Sequence, residues 1–312
     1  MPDFISDKLH KKTGISDLPE ILSTQITSAE LSSLLLEVYQ RKSQDITPST
    51  LLRHYKENSY VQPADTDMIA SLEKELLVLK YLKAQEYTPV ELSPVAQFAS
   101  CSAVGTVSQH KIITALRHCE VVADATNALA LHIAALKQHG LADDLLRFCT
   151  IHRHIRTMQL PPGKGYTPHF KIACLVTGGT DTGHFSFELN NAAAHLQHIF
   201  RILELVSGVT DSYCVIRPRG GYSNGDELVR SLSSHLQSLF PSRVSVDEQQ
   251  PENNYYKGFQ YKIYIRTSGD PIEIADGGMV DWTQQMLNNR KERCMIAGIG
   301  LSLLIKLNEG SL

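Results

Sequence analysis

Apolar residues recur at helical spacing through roughly the first 85 positions, and the spacing changes sharply after them. In SAELSSLLLEVYQRK a serine precedes a glutamate by two residues and then an apolar series, which predicts a helix capped at Ser28. TPSTLLRHYKEN repeats the pattern with Pro48 in the first turn, where its missing N–H costs nothing. DTDMIASLEKELLVLKYLKAQ predicts a long amphipathic helix with its leucines on one stripe. The plain reading of this region is a helical cap or interaction module.

From Glu86 the period shifts toward two. EYTPVELSPVAQF carries two prolines inside an alternating stretch and reads as an edge or irregular strand. HCEVVADATNALALHIAALKQHG predicts a short strand at Glu120–Ala123, a turn at Asp124 and a helix ending before Gly140. RFCTIHRHIRTMQ alternates, so His152, His154 and Arg156 share one face and Ile151, Arg153 and Ile155 the other. A Pro/Gly loop, LPPGKGYTP, leads to the buried strand HFKIACLVTGG. A helix over Phe187–Val206 follows, then the strand SYCVIRP, the turn RGGYSNG and the helix DELVRSLSSHLQSLF. NNYYKGFQYKIYIRTSGDPIEIADGG predicts two strands joined around Ser268–Asp270, and a short helix near TQQMLNN precedes a glycine-studded apolar close. Helices first, then strands with hairpin signals, give an α+β protein with a largely antiparallel sheet. The expected division is a helical region at 1–81 and a core domain at 82–312.

Composition narrows the class. At 312 residues, 42% hydrophobic and 20% charged, the chain has ample core for one large domain or two ordinary ones. A formal charge of −3 argues against nonspecific nucleic-acid binding over a broad surface. No secretory signal and no membrane-length apolar run stand out. The six cysteines lie far apart with no C-x-x-C pair, which suits reduced thiols in the cytoplasm better than zinc or disulfides. No metal site is expected: His152 and His154 share a face but lack a Cys or carboxylate partner.

The candidate chemistry lies at strand ends. Asp124 and Thr126 open a helix, and a carboxylate there suits a ligand ammonium. Arg156 projects from a strand and suits a carboxylate or phosphate. Tyr255 and Tyr256 can wall an amphipathic pocket. Gly277, Gly278 and Asp281 follow a strand, where missing Cβ atoms serve either a tight turn or the close approach of a ligand. Arg217 and Arg219 offer an anion site, with a solvated surface turn the simpler reading.

The order of these pieces resembles the catalytic core of class II aminoacyl-tRNA synthetases, and the histidyl branch in particular, over roughly Leu82 to Leu307. AQEYTPVELSPVAQF is similar to the first motif, which implies a homodimer. HRHIRTMQLPPGKGYTPHFKIACLVTGG has the layout of the second motif, NNYYKGFQYKIYI that of the L-D-Y-Y-T-G signature, and IADGGMVDW that of the G-G-G-R-Y-D turn. GIGLSLLIKL falls where the third motif belongs. The resemblance implies that Arg156 grips an ATP α-phosphate and the amino-acid carboxylate. Asp124 and Thr126 would hold the substrate ammonium, Tyr256 would line the pocket, and Asp281 would be the acid of the glycine turn.

Departures from the pattern alter the implied function. Met158, Leu303, Ser302, Met279 and Pro251 replace charged residues, with Leu303 in place of the arginine that holds the γ-phosphate. Ile172 and Val176 replace the polar pair that reads imidazole. No anticodon-binding domain is expected after Leu307, and tRNA is not expected as a partner. The implied function is a histidyl-synthetase-like paralogue that does not charge tRNA-His. It would bind an amino-acid-like metabolite and act with a protein partner, similar in kind to the regulatory subunit of ATP phosphoribosyltransferase. The alternative is an ATP-dependent ligase activating an amino acid or related carboxylic acid for another acceptor. The cofactor stays open, ATP with magnesium being what the resemblance would bring; a purely structural role is a third option.

Overall fold

The computed structural model describes residues 4–140, 145–157, 167–248 and 254–308. Five helices come first: α1 (Phe4–Thr13), α2 (Leu18–Thr24), α3 (Ser28–Gln44), α4 (Pro48–Glu57) and α5 (Met68–Ala84). The cap of α3 is Thr27 rather than Ser28: its hydroxyl accepts from Glu30 N at 3.2 Å, and Glu30 Oε2 accepts from Thr27 N at 2.7 Å. A capping box needs the carboxylate three residues past the cap, and Thr27, not Ser28, has that spacing. The leucine stripe of α5 is likewise split. Val78 and Leu82 are buried, whereas Leu72, Leu76 and Leu77 are exposed, because the sheet supports only the last turns of this helix.

The core is an eight-stranded sheet ordered β1-β5-β6-β11-β10-β9-β7-β8. Its strands are β1 (Thr88–Pro89), β5 (Leu146–Ile155), β6 (His169–Thr180), β7 (Ser212–Pro218), β8 (Val244–Val246), β9 (Lys257–Ile265), β10 (Ile272–Val280) and β11 (Glu292–Ile299). The six central strands pair antiparallel, and β1 and β8 close the edges in parallel. A second sheet, β2-β4-β3, joins β2 (Val95–Gln97), β3 (Thr114–Ala115) and β4 (Cys119–Val121). In β4 Glu120 is fully buried and accepts from Ala99 N, Ser100 Oγ, Cys101 N and Gln109 Nε2, which makes it a structural carboxylate.

The two faces of the large sheet differ. One packs on α5, α8 (Ser186–Ser207), α9 (Gly225–Leu239) and α11 (Leu301–Asn308) through a continuous apolar core. The other is covered at one end by α7 (Ala125–Gln138) and α10 (Trp282–Leu287), which bury Leu129, Ile133 and Trp282 against Phe148, Val176 and Ile296. Beyond that cover the face turns polar. Strand alternation therefore sorts two chemistries: Phe259, Tyr261 and Ile263 into the apolar core, Gln260 and Lys262 onto the open side. Five of the six cysteines are buried and all are free thiols. No described helix is long and apolar enough to cross a membrane.

Candidate functional site

Two rows of residues run in register across this face, from the end covered by α7 and α10 to the polar end. One is Phe148–Val176–Ile296–Gly278–Gln260–Arg217; the next is Thr150–Cys174–Gly298–Asp276–Lys262–Val215. Above them the end of β5 is tied to the start of α7. His154 Nε2 accepts the Ala125 N–H at 2.9 Å, and Arg156 Nε donates to Ala123 O at 3.1 Å. An acceptor at Nε2 leaves the ring proton on Nδ1, which donates to His152 O at 3.0 Å. Burial holds the His154 pKa down to about 4, with the nearby Asp124 charge opposing and Arg156 reinforcing that shift. These two contacts bracket Asp124 and set Arg156 beside it.

Asp124 caps α7, as its preference for that position predicts. Its Oδ1 accepts from Thr126 N at 3.0 Å and Thr126 Oγ1 at 2.6 Å, and its Oδ2 accepts from the Tyr255 hydroxyl. Burial and the Asp124 charge raise the Tyr255 pKa well above its usual value, so the phenol is a fixed donor. Tyr256 does the same for a second carboxylate, donating to Asp276 Oδ2 at 2.9 Å. The two tyrosine rings meet edge to face, 4.8 Å between centroids. Gln260 Nε2 also donates to Asp276 Oδ2, at 3.3 Å, and Arg219 Nη2 orients that amide through Gln260 Oε1 at 2.7 Å. Cys174 lies between the groups. Burial raises its pKa, with Asp124 and Asp276 adding to the rise and Arg156 opposing it.

Arg156 makes a single hydrogen bond among the described residues, through Nε, which leaves its Nη donors to the open face. The Phe170 ring centroid is 5.9 Å from the guanidinium and stacks on His154. Arg156, Asp124, Thr126, Tyr255 and Tyr256 are therefore brought together. The remaining sequence candidates are placed otherwise. Asp281 lies 3.8 Å from Lys257 Nζ and accepts from Gln285 Nε2 at 2.8 Å, and it bonds none of the pocket residues. Gly277 faces the apolar core, where a Cβ would come within 2.4 Å of the Tyr261 hydroxyl and 2.5 Å of Ile296 O. Gly278 lies on the open face, yet a Cβ there would meet Phe259 O at 2.4 Å and Tyr256 at 3.0 Å. Packing within the chain, rather than the approach of a ligand, demands both glycines.

Asp276 was missed for a physical reason. The alternation Ile272–Ile274–Asp276 puts the acid on the buried side, but a bulge between Glu273 and Ala275 inserts Ile274 as an extra residue and reverses the parity. Arg219 is buried in this network instead of lying in a solvated turn. Of the departures, Met279 and Val176 are core residues, Leu303 packs partly buried on the apolar core, and Ser302 Oγ accepts from Lys171 N at 2.8 Å. Ile172 is half-buried on the open face. Met158 and Pro251, with most of the loop after Arg156, lie outside the described residues.

This sheet, with its order of strands and its single open face, is the fold of the class II aminoacyl-tRNA synthetase catalytic core. No family model matches the sequence, and no curated protein does. Among solved structures the chain is similar to histidyl-tRNA synthetase of S. aureus, at 12% identity over 81% of this chain and 70% of that one, TM-score 0.63. It is similar to an ATP phosphoribosyltransferase regulatory subunit/histidyl-tRNA synthetase of Bacillus halodurans, at 13% identity over 78% and 81%, TM-score 0.61. A pyrrolysyl-tRNA synthetase of Desulfitobacterium hafniense matches over 99% of this chain and 83% of its own, at 14% identity and TM-score 0.52.

Proposed function

We propose that the open face binds an amino acid or a close analogue, its carboxylate on Arg156 and its ammonium on Asp124, and that the protein acts with a protein partner rather than by charging tRNA-His. The observation that carries this reading is the pairing of a guanidinium fixed through Nε, with its Nη donors unengaged among the described residues, and a tyrosine-anchored carboxylate beside it. That pair matches the two charges of a zwitterion, and charge-assisted hydrogen bonds in a partly water-excluded site are the strong kind. The partner role is supported by the regulatory subunit among the fold neighbours. A homodimer through the segment containing β1 and a reducing cytoplasmic setting for the free thiols belong to the same reading.

Nucleotide fits this face only in part. Arg156 beside the Phe170 ring suits a base with one phosphate, but Leu303 supplies no cation for the far end of a triphosphate. A second reading rests on that aromatic surface: the same pocket, with ATP and magnesium, activates the bound carboxylate for a non-tRNA-His acceptor, and Arg156 neutralises oxygens that gain charge.

ATP–pyrophosphate exchange over all amino acids separates the two. The binding reading expects no exchange, together with a rise in melting temperature for at least one amino acid. Arg156→Ala should abolish that rise and lower the unliganded melting temperature only slightly, by the loss of its one bond to Ala123 O. Robust exchange with any amino acid moves the conclusion to the ligase.

A further inference from the structure

Two carboxylates face this pocket, and only one is needed for a ligand α-ammonium. Asp124 has both oxygens engaged, by Thr126 and Tyr255. Asp276 does not: Tyr256 and Gln260 both donate to its Oδ2, and Oδ1 receives no hydrogen bond from the described residues. Nor is it closely paired with a cation. Its cross-strand neighbour Lys262 binds both oxygens of Glu273, at 2.8 and 2.7 Å. Arg219 is turned onto Gln260, and Arg217 onto Tyr264 and Asp247. Burial pushes the Asp276 carboxyl upward and the Glu273 charge adds to that rise, against the Tyr256 hydroxyl and the more distant charges of Lys262 and Arg156.

The chain nevertheless builds this acid a support. Arg219 orients Gln260, Gln260 and Tyr256 orient Asp276, and a β-bulge turns it to the open face. A preorganised acceptor half-buried on a ligand face is complemented by a cationic donor. On the adjoining sheet surface Ile172 and Gly298 are partly exposed, with Cys174 buried beneath Val122 and Ala125, and none of them carries an acceptor side chain, which fits methylenes.

Resting on the amino-acid reading above, we infer that the ligand is a diamino acid of the ornithine–lysine type. Its α-ammonium lies on Asp124, its carboxylate on Arg156, and its side-chain ammonium on Asp276 Oδ1. The adjacent tyrosines, each holding one aspartate, fix the spacing of the two amines. No covalent step is involved.

Isothermal titration calorimetry on the full chain tests the assignment with lysine, ornithine, norleucine and citrulline. Lysine or ornithine should bind at least tenfold tighter than norleucine and citrulline. Asp276→Asn, isosteric and checked for an unchanged near-ultraviolet spectrum, should bring the preferred diamino acid to within about threefold of norleucine. Tyr256→Phe should narrow the preference partway, and it keeps the test open if Asp276→Asn does not fold. Norleucine or citrulline binding as tightly as the diamino acids overturns the inference while the amino-acid pocket stands, as does a preference that survives Asp276→Asn. Failure of every amino acid to bind, with or without ATP, removes the pocket and this inference together.

Discussion

The helices before Met68 and the core after it place their apolar residues in opposite ways. In α2, α3 and α4 no residue is buried, and Leu34, Leu51, Leu52 and Tyr39 stand in water. In the core, α8 alone buries twelve residues, among them Glu188 and Asn191 besides two histidines, so burial there extends well beyond hydrocarbon. The first region is held by local devices: the capping box of Thr27 and Glu30, the Thr47 cap with Pro48, and the Asp67 cap of α5. Each such device contributes about 1 kcal/mol. The second is held by packing and by buried polar networks whose members must all be satisfied. Local signals suffice to shape helices, but a binding face needs long-range register.

The largest expected effect exploits the buried histidines. His154, His195 and His198 are all buried and neutral. Burial depresses His195 to about 3 and His198 to about 4, with the Arg147 charge adding to both and the two imidazoles opposing each other at His195; His154 is held at about 4. Each is a group whose folded pKa lies below its unfolded value, so the unfolded chain binds more protons between them. Stability is then full above pH 6.5 and falls with acidity, by about 1.4 kcal/mol per pH unit for each group, until its folded pKa is passed. Protonation of His154 at Nε2 also removes the acceptor for Ala125 N–H and loosens the pocket. Trp282, the single tryptophan and fully buried, reports on the core by fluorescence. Its transition midpoint in urea should drop steeply from pH 6.5 to 4, and a flat midpoint over that range removes the neutral histidines from the account.

Much of the core was legible because its register follows simple alternation. RFCTIHRHIR placed His154 and Arg156 on one face, and both reach the start of α7 as a pair. Asp124 stands in the sequence where a helix opens, and it caps α7. What escaped detection depended on contacts remote in sequence. The bulge at Ile274 that turns Asp276 outward leaves no local signature, since isoleucine fits either face of a strand. Arg219 reads as a turn residue until Gln260, 41 positions later, is seen to receive it. The glycine pair stands out in the sequence, but the contacts that require it do not, because Tyr261 lies across a strand pair. In α5 the periodic leucines overstated burial, since periodicity describes a helix and not what lies against it.

The glycine pair gives the next effect in size. Gly277→Ala sets a methyl against Tyr261 and the Ile296 carbonyl, at distances that real Cβ atoms do not adopt. Overpacking of this kind costs about 1–3 kcal/mol. Urea denaturation should show that loss, while Arg156 and Asp124, on the opposite face, keep ligand affinity within about threefold in the folded fraction. Unchanged stability with lost binding would return the glycine to the ligand and blur the contrast between a packed core and a separate binding face.

The smallest effect is the sharpest probe of the other region. Leu34, 44% exposed, and Leu51, 61% exposed, have no buried neighbours within their own helices. Solvent-exposed substitutions away from caps stay within about 0.5 kcal/mol, so Leu34→Ser and Leu51→Ser should leave both the tryptophan transition and the helical ellipticity unchanged. The helices carry many such residues over a short span, and a patch of that kind in water is itself unfavourable. A loss of more than about 2 kcal/mol from either substitution therefore cannot come from the exposed side chains of one chain. It would mean that another surface covers them in solution, and the midpoint would then rise with protein concentration if that surface is a second copy. That pair of measurements distinguishes helices that stand alone from helices that are half of an interface.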